Sequence, residues 1–197
     1  MPLDVFLALL GFSFVSSVTP GPNNIMLLTS GVNFGFRRTI PHMFGIAFGF
    51  GVLLLAVGFG LKEVFEQFPI VQTILKIAGG LYLLWLAWQI ANSGPIKTGE
   101  AKGKPMTFIA AALFQWVNPK AWVMAVYAIT VYTVGPDFVS SVFLVCFAFV
   151  VVNFPSVSVW CGFGVLLREW LADPLKLKIF NISMAVLLVL SLWPMLR

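Results

Sequence analysis

Five long intervals of this chain, 5–36, 39–61, 77–96, 138–167 and 179–196, contain no Lys, Arg, Asp or Glu. A helix crosses the hydrocarbon of a bilayer with about 20 apolar residues, so nearly the whole chain belongs in lipid. Composition agrees: 60% of the residues are hydrophobic and 10% are charged, against about 25% charged in an ordinary soluble domain. The sequence predicts an all-α membrane protein.

Six spans are read, at 5–33, 39–61, 69–91, 107–133, 138–165 and 179–196. A Gly-, Lys- and Ser-rich stretch divides the chain almost in half, giving a three-helix unit at 1–91, a linker at 92–106 and a second three-helix unit at 107–197. Arg37, Arg38, Lys97, Lys102, Lys104, Arg168, Lys176 and Lys178 gather on the odd connectors. Only Lys62 and Arg197 lie opposite, so the odd connectors face the cytoplasm and both termini lie outside it. A net charge of +5 without a dense basic run expresses this topology, and no nucleic-acid partner is expected.

The leading span of each half is interrupted at mid-depth, by Pro20-Gly21-Pro22 in the first and Asn118-Pro119 in the fourth. Three spans per half make the halves enter the membrane from opposite sides. Broken helices at corresponding positions of inverted repeats build substrate sites near the midplane. Pro is best tolerated at the first position of a helix, so Pro22 and Pro119 are expected to start second half-helices capped by Gly21 and Asn118. Free N–H groups and two positive dipole ends would then point inward and attract a carboxylate. Thr19, Asn23, Asn24 and Gln115 supply neutral hydrogen-bonding groups at a similar depth. A lone Pro is more simply explained as a kink; the paired arrangement carries the functional reading.

Lys120 is the most deeply placed ionisable residue. It is read as a partner for a substrate carboxylate or a group that loses a proton during the cycle, against the plainer alternative of bonding a freed carbonyl. Lys76 is close enough to the outer surface to snorkel. His42 is either a proton relay or a hydrogen-bonded interfacial residue. Asn153-Phe154-Pro155-Ser156 reads as a third break. Gly31-x-x-x-Gly35 and Gly45-x-x-x-Gly49 read as close-packing motifs, for contacts within the chain or in a homodimer. Trp85, Trp88 and Trp193 fit an interfacial belt.

Catalytic parts are missing from the sequence. It has no G-x-S-x-G, no metal-ligand spacing and no intramembrane carboxylate pair, and no metal, cofactor or catalytic residue is assigned. Cys146 and Cys161 on one helix would be separated by roughly 22 Å, too far for a disulfide.

"TPGPNN", "GFRRTIPHMFGIAFG", "GGLYLLWLAWQI" and "WVNPKAW" together resemble the lysine exporter superfamily, in its homoserine/threonine and cysteine/O-acetylserine exporter branch. The resemblance runs over essentially the whole chain. It implies a bacterial inner-membrane exporter of small amino acids driven by the proton gradient. The family's first motif falls on Pro20, Gly21, Pro22 and Asn24, its connector motif on Gly35 and Arg37, and its second-half motif on Asn118, Pro119 and Lys120.

The charges of the spans add a preference among substrates. A cationic substrate would need a carboxylate near the midplane, and none is read there. Lys120 favours a carboxylate, while the ammonium of a zwitterion has freed carbonyls, Thr19, Asn23 or the faces of Trp116, Trp122 and Tyr127 available. Small neutral amino acids are therefore expected over lysine, arginine or cadmium. The competing readings are an exporter of basic amino acids or cations, a membrane-embedded enzyme and a structural subunit.

Overall fold

The computed structural model describes residues 1–61, 67–93, 104–133 and 137–191. Eight α-helices lie among them: α1 (Leu3–Val18), α2 (Pro22–Phe34), α3 (Phe36–Ala56), α4 (Pro69–Ala91), α5 (Phe108–Phe114), α6 (Pro119–Tyr132), α7 (Phe138–Leu167) and α8 (Pro174–Leu190). No strand occurs among the described residues.

Helix ends follow local chemistry. Pro occupies the first turn of α2, α4, α6 and α8, where its missing N–H leaves no bond unmade. Asp173 caps α8 by accepting from Leu175 N at 2.8 Å and Lys176 N at 3.1 Å, which holds its carboxyl below the usual carboxylate range. That cap starts the helix ahead of the expected 179. Gly35 turns α2 into α3 at φ 80°, a backbone region that side chains with a Cβ rarely adopt.

Phe36–Gly60 and α7 are each long and apolar enough to cross a membrane, and α1 with α2 forms a third such unit bent by 56°. Exposed apolar side chains such as Leu7, Leu81, Phe147 and Leu166 give these helices a lipid-facing surface.

α7 is the central helix. α1, α2 and α3 pack on it, α3 also packs on α5, and α4 packs on α8. One core cluster joins Leu9, Phe50, Leu53, Ala125 and Phe149 from α1, α3, α6 and α7. A second joins Met26, Leu83, Phe114 and Leu188 from α2, α4, α5 and α8.

The close-packing glycines are used inside the chain. A Cβ at Gly31 would lie 2.2 Å from the Cys161 carbonyl oxygen, and one at Gly45 2.3 Å from that of Phe108. Those faces are closed to a second copy, so the motifs lend a homodimer no support.

Two expectations are corrected. α7 runs unbroken through Pro155, because the surrounding helices enforce the helical path that Pro alone would weaken. His42 is 2% exposed and neither ring nitrogen has a hydrogen-bond partner, so it is not a hydrogen-bonded interfacial residue. Trp85 and Trp88 are exposed on α4. Trp193, Lys62, Arg197 and the linker segment 94–103 lie outside the described residues, as does the side chain of Lys76.

Candidate functional site

The two interruptions meet. α1 ends at Val18, Thr19 and Gly21 are extended, and Pro22 opens α2. α5 ends at Phe114, and Pro119 opens α6 after Asn118. Asn23 and Gln115 join the breaks through a reciprocal amide pair: Asn23 Nδ2 donates to Gln115 Oε1 at 2.8 Å, and Gln115 Nε2 donates to Asn23 Oδ1 at 3.2 Å. Gln115 is fully buried and also donates to Ala111 O, so both of its N–H donors are used.

Lys120 forms the second link. Its Nζ donates to Thr19 O at 2.6 Å, Thr19 Oγ1 at 2.9 Å and Pro20 O at 3.3 Å. An ammonium carries three donors and no acceptor, so these three acceptors match it, and they lie at the negative end of the α1 dipole. Gly21 makes this approach possible: a Cβ there would lie 2.7 Å from Lys120 Cδ.

The remaining carbonyls at the end of α1 are also occupied. Asn24 Nδ2 donates to Ser17 O at 2.9 Å and Thr19 O at 2.8 Å, and Trp160 Nε1 donates to Val18 O at 3.0 Å. The expectation that freed carbonyls of the first break await an ammonium is therefore corrected for this conformation. Side chains from α2, α6 and α7 hold them.

The two half-helices differ at their N-termini. Asn118 Oδ1 accepts from Lys120 N at 3.2 Å and caps α6. No side chain caps α2, which leaves its first-turn N–H groups at Asn23 and Asn24 without an intrahelical partner.

A cleft of about 350 Å³, including its open mouth, lies where the breaks meet α3 and α7. Gly21, Asn23, Asn24, Gln115, Asn118 and Lys120 line it, with Ser16, Ser17 and Asn153 completing its polar surface and Ile46, Phe50, Ala121, Met124 and Val157 its apolar surface. No carboxylate lines it, and no cluster of metal-ligating side chains occurs among the described residues.

Of the other expected residues, Thr19, Pro20, Pro22 and Pro119 shape the breaks without lining the cleft. His42 lies outside the lining, and so do Trp116, Trp122 and Tyr127. Trp122 Nε1 donates to Trp116 O at 2.8 Å across the second break, and Tyr127 packs on Phe12 with ring centroids 4.7 Å apart. These aromatics brace the helices outside the cleft lining.

A family model described as LysE type translocator matches residues 14–191. The chain belongs to the LysE type translocator family. It is similar to a cysteine/O-acetylserine efflux protein of Klebsiella pneumoniae, 37% identical over 64% of this chain and 63% of that protein. Proteins of the same description from Escherichia coli K12 and Shigella sonnei are 34% identical over 61% of this chain and 62% of theirs. The chain thus spans less than two thirds of the length of the curated relatives it matches. No solved structure matches it.

In this family member Ser16 and Ser17 line the cleft, and sequence reasoning missed them. Their place in the last turn before Pro20, at the depth of Thr19, was the available signal. Ile46, Phe50, Met124 and Val157 gave none, since apolar side chains lining a cleft and filling a core have the same residue types.

Proposed function

We propose that this chain is an exporter of small neutral amino acids or their derivatives, of the homoserine/threonine or cysteine/O-acetylserine kind, in the bacterial inner membrane. The observation that carries this reading is one cleft at the meeting of two helix breaks. It offers a lysine and uncapped helix N–H groups and has no carboxylate among its lining residues. The relatives described as cysteine/O-acetylserine efflux proteins support the substrate class.

The six-span inverted repeat is part of the proposal, with α1–α2, α3 and α4 forming 1–91 and α5–α6, α7 and α8 forming 107–197. The packing supports it in part: several main pairings survive exchange of the halves, while α2–α8 and α1–α6 have no equal counterpart. α1 and α2 pack on α7 as α5 and α6 pack on α3, while α3–α7 and α4–α8 exchange with themselves. In this arrangement both termini and the turn beyond α3 face outward.

Substrate binding is then an exchange of ionic partners. The carboxylate docks at the α2 N-terminus, where the dipole and the amides of Asn23 and Asn24 favour an anion. Lys120 leaves Thr19 and Pro20 to follow it, and the substrate ammonium takes over the released carbonyls. Lys120 is the group whose proton occupancy couples transport to the proton gradient.

Counterflow of labelled homoserine and threonine in proteoliposomes tests the proposal. Accumulation above protein-free vesicles, enhanced by a proton gradient, is expected. Absence of counterflow for every small neutral amino acid would remove the reading.

A further inference from the structure

Asn153 is a buried amide whose carbonyl oxygen has no hydrogen-bond partner. It is 5% exposed and lies on α7 at the wall of the cleft. Its Nδ2 donates to Ser17 Oγ at 3.1 Å, while Oδ1 has no partner. A buried acceptor left unpaired is costly, and native structures retain one mainly where something else satisfies it. The same cleft has an apolar part of its lining, with Val157 one helical turn along α7 and Ile46, Phe50 and Met124 from the neighbouring helices.

We infer that Asn153, held by Ser17, reads the side chain of the transported amino acid and selects a polar side chain over an apolar one of the same shape. A single neutral acceptor among methylene and methyl groups suits a short side chain bearing one hydroxyl or thiol. It suits an ammonium poorly, since that group calls for several acceptors at once.

The pairing with Ser17 widens what this site accepts. A serine hydroxyl rotates to donate or accept, and an amide offers one edge of each kind. If Ser17 donates to Oδ1 instead, Nδ2 turns to the cleft and meets a carbonyl. One Asn–Ser pair can therefore recognise a hydroxyl, a thiol or an ester.

This inference rests on the transport reading above and adds to it a residue that sets specificity. Threonine and valine are the probes, being nearly isosteric and differing by the hydroxyl. Counterflow of labelled threonine in proteoliposomes would be challenged with unlabelled threonine or valine, using wild type, Asn153→Leu and Asn153→Asp. In wild type, valine is expected to compete roughly tenfold or more less well than threonine, the order expected when a buried polar group loses its partner. Asn153→Leu should bring the two within about twofold, chiefly by raising the threonine KM. Asn153→Asp keeps an acceptor oxygen in either protonation state and should restore the preference for threonine.

Equal competition by valine and threonine in wild type would overturn the inference without any variant, so a poorly folding Asn153→Leu does not shield it. An unchanged threonine preference in folded Asn153→Leu would overturn it as well. Lack of threonine counterflow in wild type would instead fault the transport reading beneath it.

Discussion

Lys120 donates to the carbonyl of Thr19 at 2.6 Å, closing a contact between residues 101 positions apart in sequence. The bond joins the start of α6 to the end of α1, so each helix break supplies what the other lacks. The carbonyls of Thr19 and Pro20, freed at the first break, receive a cation. A lysine that would be costly alone in lipid receives three acceptors.

Gly21 and Lys120 should behave as one unit. A methyl group at position 21 would lie 2.7 Å from Lys120 Cδ, displacing the ammonium from its acceptors. Gly21→Ala is expected to lower transport about tenfold at matched protein level, the scale of one charge-assisted hydrogen bond of ~1.5–3 kcal/mol. In a Lys120→Ala background the same substitution should add little, because contacting residues are not additive. Independent effects in a double-mutant cycle would show that Gly21 acts through something else.

The two helix-starting prolines should differ in tolerance. Asn118 caps α6 with its side chain, whereas α2 depends on Pro22 and the extended Gly21 for its start. Pro22→Ala is therefore expected to impair transport more severely than Pro119→Ala. The opposite order would mean that the Asn118 cap does not define the start of α6.

His42 gives a sharper test because nothing bonds its ring. Replacing a buried, unpartnered polar group by an apolar one removes a desolvation cost. His42→Leu is expected to raise the Tm in detergent, by a gain on the order of 1 kcal/mol, with transport and its pH profile unchanged. A flattened pH profile would make His42, and not Lys120 alone, a carrier of the coupled proton.

Orientation can be checked chemically in a Cys146→Ala, Cys161→Ala background. A cysteine in place of Lys104 should label only after the inner face is exposed, and one in place of Pro2 in intact spheroplasts. The reverse pattern would turn the proposed topology over.

The positions of the breaks were legible in the sequence because Pro at a helix start is a local signal, and Pro22 and Pro119 stand where that signal puts them. The partner of each break was not. Lys120 bonds a freed carbonyl, as one of its two readings holds, but that the carbonyl would be Thr19 of the other break, or that Asn23 would pair with Gln115, depends on how α1 and α6 cross. The same limit explains Pro155, a local breaker overruled by packing, and Trp122, whose indole braces a backbone carbonyl. It also explains the apolar wall of Phe50 and Val157, which carries no signature distinct from a core.

Substrate charge is the most direct consequence of the cleft's composition. Among the described residues Lys120 is the only ionic one that lines it, and no Asp or Glu does. A zwitterion can exchange its two charges against Lys120 and the α1 carbonyls with no net charge added to the site. Lysine or arginine would bring a further cation beside Lys120 with no carboxylate to offset it, in a region where an unpaired charge costs several kcal/mol. Threonine is therefore expected to be exported at least tenfold faster than lysine at equal internal concentration, the ratio equivalent to about 1.4 kcal/mol. Introducing a carboxylate at the cleft wall, as in Met124→Glu, should narrow that ratio by admitting lysine. Measured side by side from loaded cells, lysine efflux equal to threonine efflux in the wild type would defeat the charge argument and leave the geometry of the two breaks to be explained by a different cargo.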